Sequence, residues 1–162
     1  MQAHPISPIY NEGSQVLILG SFPSVRSRKE GFFYGHKQNR FWKMLSSVLN
    51  ASVPETVDEK KKLLTDNGIA LWDVIASCEI SGSADSSIKN AEPNDISVIL
   101  GCCDIRAIIT NGKKASEMYR RYIFPKTGIE DICLPSTSPA NASFSLERLI
   151  KEWADTLRAV LY

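Results

Sequence analysis

Val16-Leu-Ile-Leu-Gly-Ser-Phe-Pro-Ser24 is the stretch whose reading decides the fold. Its first four residues are apolar and rich in branched side chains, and the run stops at Gly20 within a length too short for a helix. Residues 16–21 therefore read as a strand buried on both faces, the kind found inside parallel sheets. A loop holding Pro23, Gly31 and Gly35 follows. Asn39–Asn50 then places Phe41, Met44, Leu45, Val48 and Leu49 on one helical face. The charged stretch 57–66 reads as an exposed helix stopped at Gly68. Residues 69–75 form a second strand, 81–90 a polar loop, 94–102 a short helix and 105–110 a third strand. A helix over 112–124 turns Ala115, Met118, Tyr119 and Tyr122 inward, and 129–134 makes a fourth strand. The clearest helical period lies in 143–161, through Leu146, Leu149, Ile150, Trp153, Leu157, Val160 and Leu161.

Strands alternating with helices predict an α/β fold, a three-layer α/β/α sandwich around a central, mainly parallel four-stranded sheet. Right-handed crossovers bring the loops after the strands to one edge, where ligands bind in open sheets of this kind. The segments that matter for function are then Ser21–Gln38, Asp73–Asn90, Asn111–Lys114 and Pro135–Asn141. At 162 residues the chain is expected to form one domain, residues 1–162, that buries roughly 70% of its unfolded surface.

With 43% apolar and 23% charged residues the composition excludes gross disorder and fibrous repeats. No apolar run reaches the ~18 residues of a membrane span, and the first residues lack the basic and apolar regions of a signal peptide. An intracellular location with no membrane partner is the expectation. Cys78, Cys102, Cys103 and Cys133 form no closely spaced pair, so neither a zinc nor an iron–sulfur site is expected and reduced thiols are. Lys and Arg total 19 against 18 Asp and Glu, giving +1. The charge is unevenly placed. Residues 26–43 carry six cations (Arg26, Arg28, Lys29, Lys37, Arg40, Lys43) against Glu30, leaving +5 there and −4 over the remainder. Phe32, Phe33, Tyr34, Phe41 and Trp42 interleave with those cations, a pattern suited to phosphates and stacked bases. Phe41 and Trp42 read as core. For Phe32–Tyr34, stacking on a ligand and packing in the fold are equally consistent with the pattern.

Lys113 and Lys114 open a helix after the third strand, where free N–H groups favour an anion; Arg120 and Arg121 further along fit a solvated face equally well. The turn Pro135-Ser-Thr-Ser-Pro-Ala-Asn141 suits either a phosphate or a helix cap. Motifs for a serine-hydrolase elbow, a phosphate-binding P-loop, a dinucleotide fingerprint and a zinc protease are absent. His4 falls in an N-terminal segment expected to be mobile, and His36 reads as a solvated loop residue.

Taken together, these motifs resemble the uracil-DNA glycosylase superfamily. Its members carry a Gly-x-x-Pro motif after the first strand and a Ser/Pro-rich motif after the last. Tyr34-Gly-His-Lys-Gln-Asn-Arg-Phe-Trp-Lys43 is similar to a segment of the mismatch-specific branch. Gly20-Ser-Phe-Pro23 with Ser136-Thr-Ser-Pro-Ala-Asn141 is most similar to the hypoxanthine-DNA (deoxyinosine) glycosylase branch. The resemblance implies base excision from double-stranded DNA containing a deaminated base, by a monomeric, nucleoid-associated enzyme that needs no cofactor.

It also implies roles. Most members place Asp, Asn or Glu at the third position of the first motif; here that position is Phe22. In the deoxyinosine branch the Asn opening the Asn-x-Phe-Trp string takes over, which points to Asn39 as the catalytic residue. Gly20, Ser21, Phe22 and Tyr34 correspond to base-binding positions. Asp73 either bonds the base or caps a turn. Ser24, Ser136, Ser138 and Lys113 are the expected phosphate ligands. No large apolar wedge stands near Ala140-Asn141, and no lysine inside the motifs offers an imine-forming amine, so the resemblance implies a monofunctional enzyme leaving an abasic site. Two other readings remain open: a DNA-binding member of the fold that has lost catalysis, and a hydrolase of free nucleotides.

Overall fold

A computed structural model describes residues 1–161. In chain order the elements are β1 (Gln2–Ala3), β2 (Val16–Gly20), α1 (Val25–Glu30), α2 (Phe41–Val48), α3 (Val57–Asp66), β3 (Ile69–Asp73), β4 (Ile75–Glu79), β5 (Lys89–Pro93), α4 (Ser97–Leu100), β6 (Ala107–Asn111), α5 (Lys113–Tyr122), α6 (Phe124–Thr127), β7 (Asp131–Leu134) and α7 (Leu146–Leu161). A single 3-10 turn occupies Asp85–Ser87.

The central sheet has the order β3-β2-β6-β7, and all three pairings are parallel. β2 sits inside it with every residue buried. Its side chains alternate between faces as a strand requires. Val16 and Ile18 join a core with Phe41, Met44 and Leu45 of α2, Leu64 of α3, and Leu149, Trp153 and Leu157 of α7. Leu17 and Leu19 join the opposite core with Ile99 of α4 and Met118 and Tyr119 of α5. The result is the three-layer sandwich expected from the alternation of elements.

Three departures matter. The expected strand 69–75 is two strands broken at Val74: β3 stays in the main sheet, while β4 leaves it. β4 is the centre of a second, antiparallel sheet of order β1-β4-β5. Val74 N–H donates back to Gly20 C=O at 2.7 Å, fixing the break against the end of β2. Residues 81–90 form the expected connection, but its end already belongs to β5. The third departure is His4. Instead of lying in a mobile terminus, it is anchored because β1 pairs with β4, and His4 N–H bonds Ala76 C=O at 2.6 Å.

Among the described residues no helix is long and apolar enough to cross a membrane. No group of three His, Cys, Asp or Glu side chains is placed to hold a metal ion there.

Candidate active site

A cavity of about 520 Å³ opens at the carboxyl edge of the central sheet, within the roughly 300–1,000 Å³ usual for small-molecule sites. The strand ends build it. Gly20 and Ser21 follow β2, Asp73 ends β3, Asn111 ends β6, and Ser136–Ala140 follow β7. Phe22, Ser24, Tyr34, His36 and Asn39 come from the first loop. The rigid Gly20-Ser-Phe-Pro23 turn and the Ser/Pro-rich turn thus face one another across the sheet edge.

Gly20 must be small. A Cβ there would lie 2.3 Å from Asp73 Oδ1 and 2.9 Å from the Tyr34 hydroxyl, so a side chain would fill the space between them. Tyr34 takes φ of +55°, uncommon for a tyrosine. Its ring stacks on Phe41 at 4.2 Å between centroids and 21° between planes. Its hydroxyl accepts a bond from Asn111 Nδ2 at 3.1 Å. Burial, reinforced by the charge of Asp73 and opposed by the Asn111 bond, pushes that hydroxyl well above its ordinary pKa, so it stays protonated. Phe32 and Phe33 are core residues with 5% and 1% exposure. Of the loop triplet, packing therefore claims Phe32 outright, while Phe33, from within the core, and Tyr34 both line the cavity.

Asn39 is held by its carbonyl end. Oδ1 accepts from Phe41 N–H at 3.0 Å, which starts α2, and from the Thr137 hydroxyl at 2.9 Å. Both partners donate, so the amide orientation is fixed chemically: oxygen inward, NH₂ as the available end. Thr137 is fully buried. Its hydroxyl accepts from Asn111 Nδ2 at 3.0 Å, and its N–H donates to Asn111 Oδ1 at 3.0 Å. One network therefore joins Tyr34, Asn111, Thr137 and Asn39 across three chain segments. Arg40 locks it from outside: its guanidinium donates to the carbonyls of Phe144, Ser138 (2.8 Å) and Asn141 (3.1 Å). Trp153 of α7 adds an indole N–H bond to Pro135 C=O at 2.9 Å.

Asp73 is nearly enclosed, its side chain only 5% exposed, with Oδ2 2.8 Å from His4 Nε2. Asp85, which the sequence reading passed over, also lines the cavity. It accepts from the Ser21 hydroxyl at 2.8 Å. Although Asp85 is exposed as a residue, crowding of its carboxyl raises its pKa; the Ser21 bond opposes this and the charge of Asp73 adds to it.

The expected phosphate ligands divide. The Ser24 hydroxyl caps α1, accepting from Ser27 N–H and donating to the Ser27 hydroxyl, both at 3.1 Å. Ser136 and Ser138 accept from the backbone N–H groups of Ser138 and Ala140 and keep their own protons available. Lys113 is exposed and lines a separate shallow depression with Arg120 and Cys133. The basic segment also divides. Arg26 pairs with Glu30, Arg28 reaches Gly82 C=O, and Arg40 is internal, whereas Lys29, Lys37 and Lys43 are exposed without partners among the described residues. Asn111 and Thr137 carry no motif signature of their own. Only their positions, at a strand end and inside the Ser/Pro turn, pointed toward the site.

Comparison with known proteins agrees with this geometry. The model of the uracil DNA glycosylase superfamily matches residues 7–158. A protein of Methanosarcina acetivorans named hypoxanthine DNA glycosylase is 36% identical over 152 residues, covering 93% of this chain and 94% of that one. One of the same name from Methanosarcina barkeri is 31% identical over 161 residues, covering 98% and 99%. The solution NMR structure of a proposed uracil DNA glycosylase from M. acetivorans superposes with a TM-score of 0.82 at 34% identity, over 97% of each chain. The chain belongs to the uracil DNA glycosylase superfamily.

Proposed function

We propose that the protein is a monofunctional DNA glycosylase that hydrolyses the N-glycosidic bond of a deaminated base flipped out of duplex DNA, hypoxanthine first and uracil second. The observation that carries this reading is the convergence, in one cavity at the sheet edge, of an aromatic ring, a half-paired carboxylate and an amide of fixed orientation. The names of the two Methanosarcina relatives support the choice of base.

A base in the stack is out of reach, so the nucleotide must be extruded into a pocket that holds the base and leaves C1′ at its mouth. The face of Tyr34 not covered by Phe41 stacks on the base, and Phe22 supplies apolar wall. Gly20 and Ser21 give close backbone approach, and Asp73 accepts a hydrogen bond from the base edge. The bond to C1′ breaks with its electron pair leaving on the base, which takes up a proton. Water adds to the oxocarbenium-like sugar and releases one. Such a path asks for a placed water more than for a strong base. Asn39 can meet that demand: its NH₂ donates to the water oxygen and leaves the other lone pair for C1′. Ser136 and Ser138 donate to flanking phosphates, and Lys29, Lys37, Lys43 and Lys113 add positive charge at a distance. The protein acts as a monomer on double-stranded DNA, in association with the nucleoid.

Asn39→Ala tests the assignment. Single-turnover excision from an inosine duplex should fall about 10²–10³-fold, the usual loss of one positioned polar group, while duplex binding is retained. Wild-type turnover would remove Asn39 from the mechanism. Phe22 at the usual water-activating position favours the second reading, a DNA-binding member without catalysis; tight duplex binding with no abasic product would establish it.

A further inference from the structure

The imidazole of His4 is buried deeply, its side chain 3% exposed, among Phe22, Phe33 and Trp72 with ring centroids 5.9, 6.1 and 6.4 Å away. Its Nδ1 lies 3.2 Å from Ile6 N–H, which can only donate. Nδ1 therefore holds a lone pair, and the ring proton is on Nε2, directed at Asp73 Oδ2 at 2.8 Å. The other carboxylate oxygen, Oδ1, takes no hydrogen bond. Among the described residues the only buried side-chain N or O atom without a partner is Arg28 Nη1. Oδ1 thus keeps access to the cavity that Asp73 lines, beside Gly20 and Tyr34.

We propose that His4 is a positioning residue for base recognition: by donating to Oδ2 it fixes Asp73 with Oδ1 in the cavity as a pure acceptor, so that the pocket selects the ring N–H that deamination creates. The proposal rests on the glycosylase reading above and specifies how its pocket discriminates. Deamination turns the N1 lone pair of adenine into the N1–H of hypoxanthine, and the N3 lone pair of cytosine into the N3–H of uracil. An acceptor opposite that nitrogen bonds the damaged base and repels the parent. Adenine, however, carries amino protons on the neighbouring carbon, and a carboxylate free to slide could bond those instead. Discrimination therefore needs the acceptor held in place. His4 does this from a different sheet, since β1 brings it beside the break between β3 and β4.

The test is a double-mutant comparison of single-turnover excision from inosine and adenine duplexes. In Asp73→Asn, His4 keeps its hold on the amide oxygen and turns the NH₂ into the cavity, so a donor faces N1–H. Inosine excision should fall about 100-fold or more, as when a buried polar pair is mismatched. His4→Phe keeps an aromatic ring in the cage and releases the residue at 73. Alone, it should lower inosine excision and narrow the inosine-to-adenine ratio by about 10-fold, the equivalent of one hydrogen bond to a charged group. Combined with Asp73→Asn, it should restore activity above that of Asp73→Asn, because the amide can now turn its oxygen inward. His4→Gln retains a donor and should give no such rescue. A double variant no better than Asp73→Asn would overturn the role of His4. For a His4→Phe protein that fails to fold, ¹⁵N shifts of the wild-type imidazole decide: an Nε2-protonated neutral ring supports the proposal, and an Nδ1-protonated or doubly protonated ring overturns it. No excision by the wild type from inosine or uracil duplexes would overturn the glycosylase reading; wild-type excision with additive losses would overturn the His4 assignment alone.

Discussion

Two buried aspartates sit at opposite ends of the central sheet strands, and their surroundings differ in kind. Asp131 opens β7 and is saturated. Its Oδ2 accepts from the Thr110 hydroxyl at 2.6 Å and the Ser116 hydroxyl at 2.7 Å, and its Oδ1 accepts from Arg120 Nε at 2.9 Å. Asp73 closes β3 with one oxygen bonded to His4 and the other open to the cavity. Sealing Oδ1 from the cavity without a partner would cost about 1–3 kcal/mol; the fold instead leaves it accessible there. The saturated group ties β6, α5 and β7 together. The half-paired group leaves an acceptor free for an outside donor.

Exchanging the two positions breaks the comparison most sharply. Asp73→Ala should reduce inosine excision about 100-fold or more, with a smaller loss of stability than Asp131→Ala, because it leaves a single buried donor, His4 Nε2–H, without its partner. Asp131→Ala should do the reverse. It leaves the Thr110 and Ser116 hydroxyls unpaired and should cost about 3 kcal/mol of stability, read by chemical denaturation, with excision by the folded fraction unchanged. Equal effects of the two variants on excision would erase the distinction.

Tyr34→Ala extends it to the cavity wall. Loss of stacking should weaken binding to an inosine duplex by about 1–3 kcal/mol and leave binding to undamaged duplex unaltered, as measured by fluorescence anisotropy.

Asp131 and Asp85, the latter at the cavity, should also respond oppositely to pH. Burial by itself would raise Asp131, but the bonds from Thr110, Ser116 and Arg120 prevail and hold it below the ordinary Asp value. The unfolded chain then binds its proton first, so this stabilisation is complete above about pH 4 and is lost as pH falls through the lower folded value. Crowding in the cavity raises Asp85, so the native state binds that proton first and the ionised form opposes folding at neutral pH. Asp85→Asn should therefore raise the thermal midpoint slightly at pH 7, and the gain should shrink as the solution is acidified below the raised value. A lower midpoint at pH 7 would place Asp85 with Asp131 as a structural carboxylate.

The layers of the fold were legible in the sequence because β2 and α7 announce their periods locally: an unbroken buried run at 16–20, and apolar residues at helical spacing over 146–161. The site was legible where a motif is local, as in Gly20–Pro23 and Asn39–Trp42. The remainder depends on contacts between distant segments. His4 and Asp73 are 69 residues apart, Thr137 and Asn39 are 98 apart, and Ser21 and Asp85 are 64 apart. Neither spacing nor composition predicts such pairs. The antiparallel sheet that anchors His4 escaped for the same reason: β1 has two residues and β5 is charged and exposed, so neither carries a strand signal of its own. The concentration of charge in residues 26–43 was real, but three of its six cations serve the fold. Arg40, which ties down the Ser/Pro turn, shows how a basic residue in the right segment can face inward.

The most direct measurement is excision from end-labelled duplexes that differ at a single position, carrying inosine, uracil or adenine, with protein in excess and abasic sites revealed by alkali. The half-paired Asp73 in the cavity predicts cleavage at inosine, slower cleavage at uracil and the slowest at adenine. Intact strands from all three duplexes would contradict it.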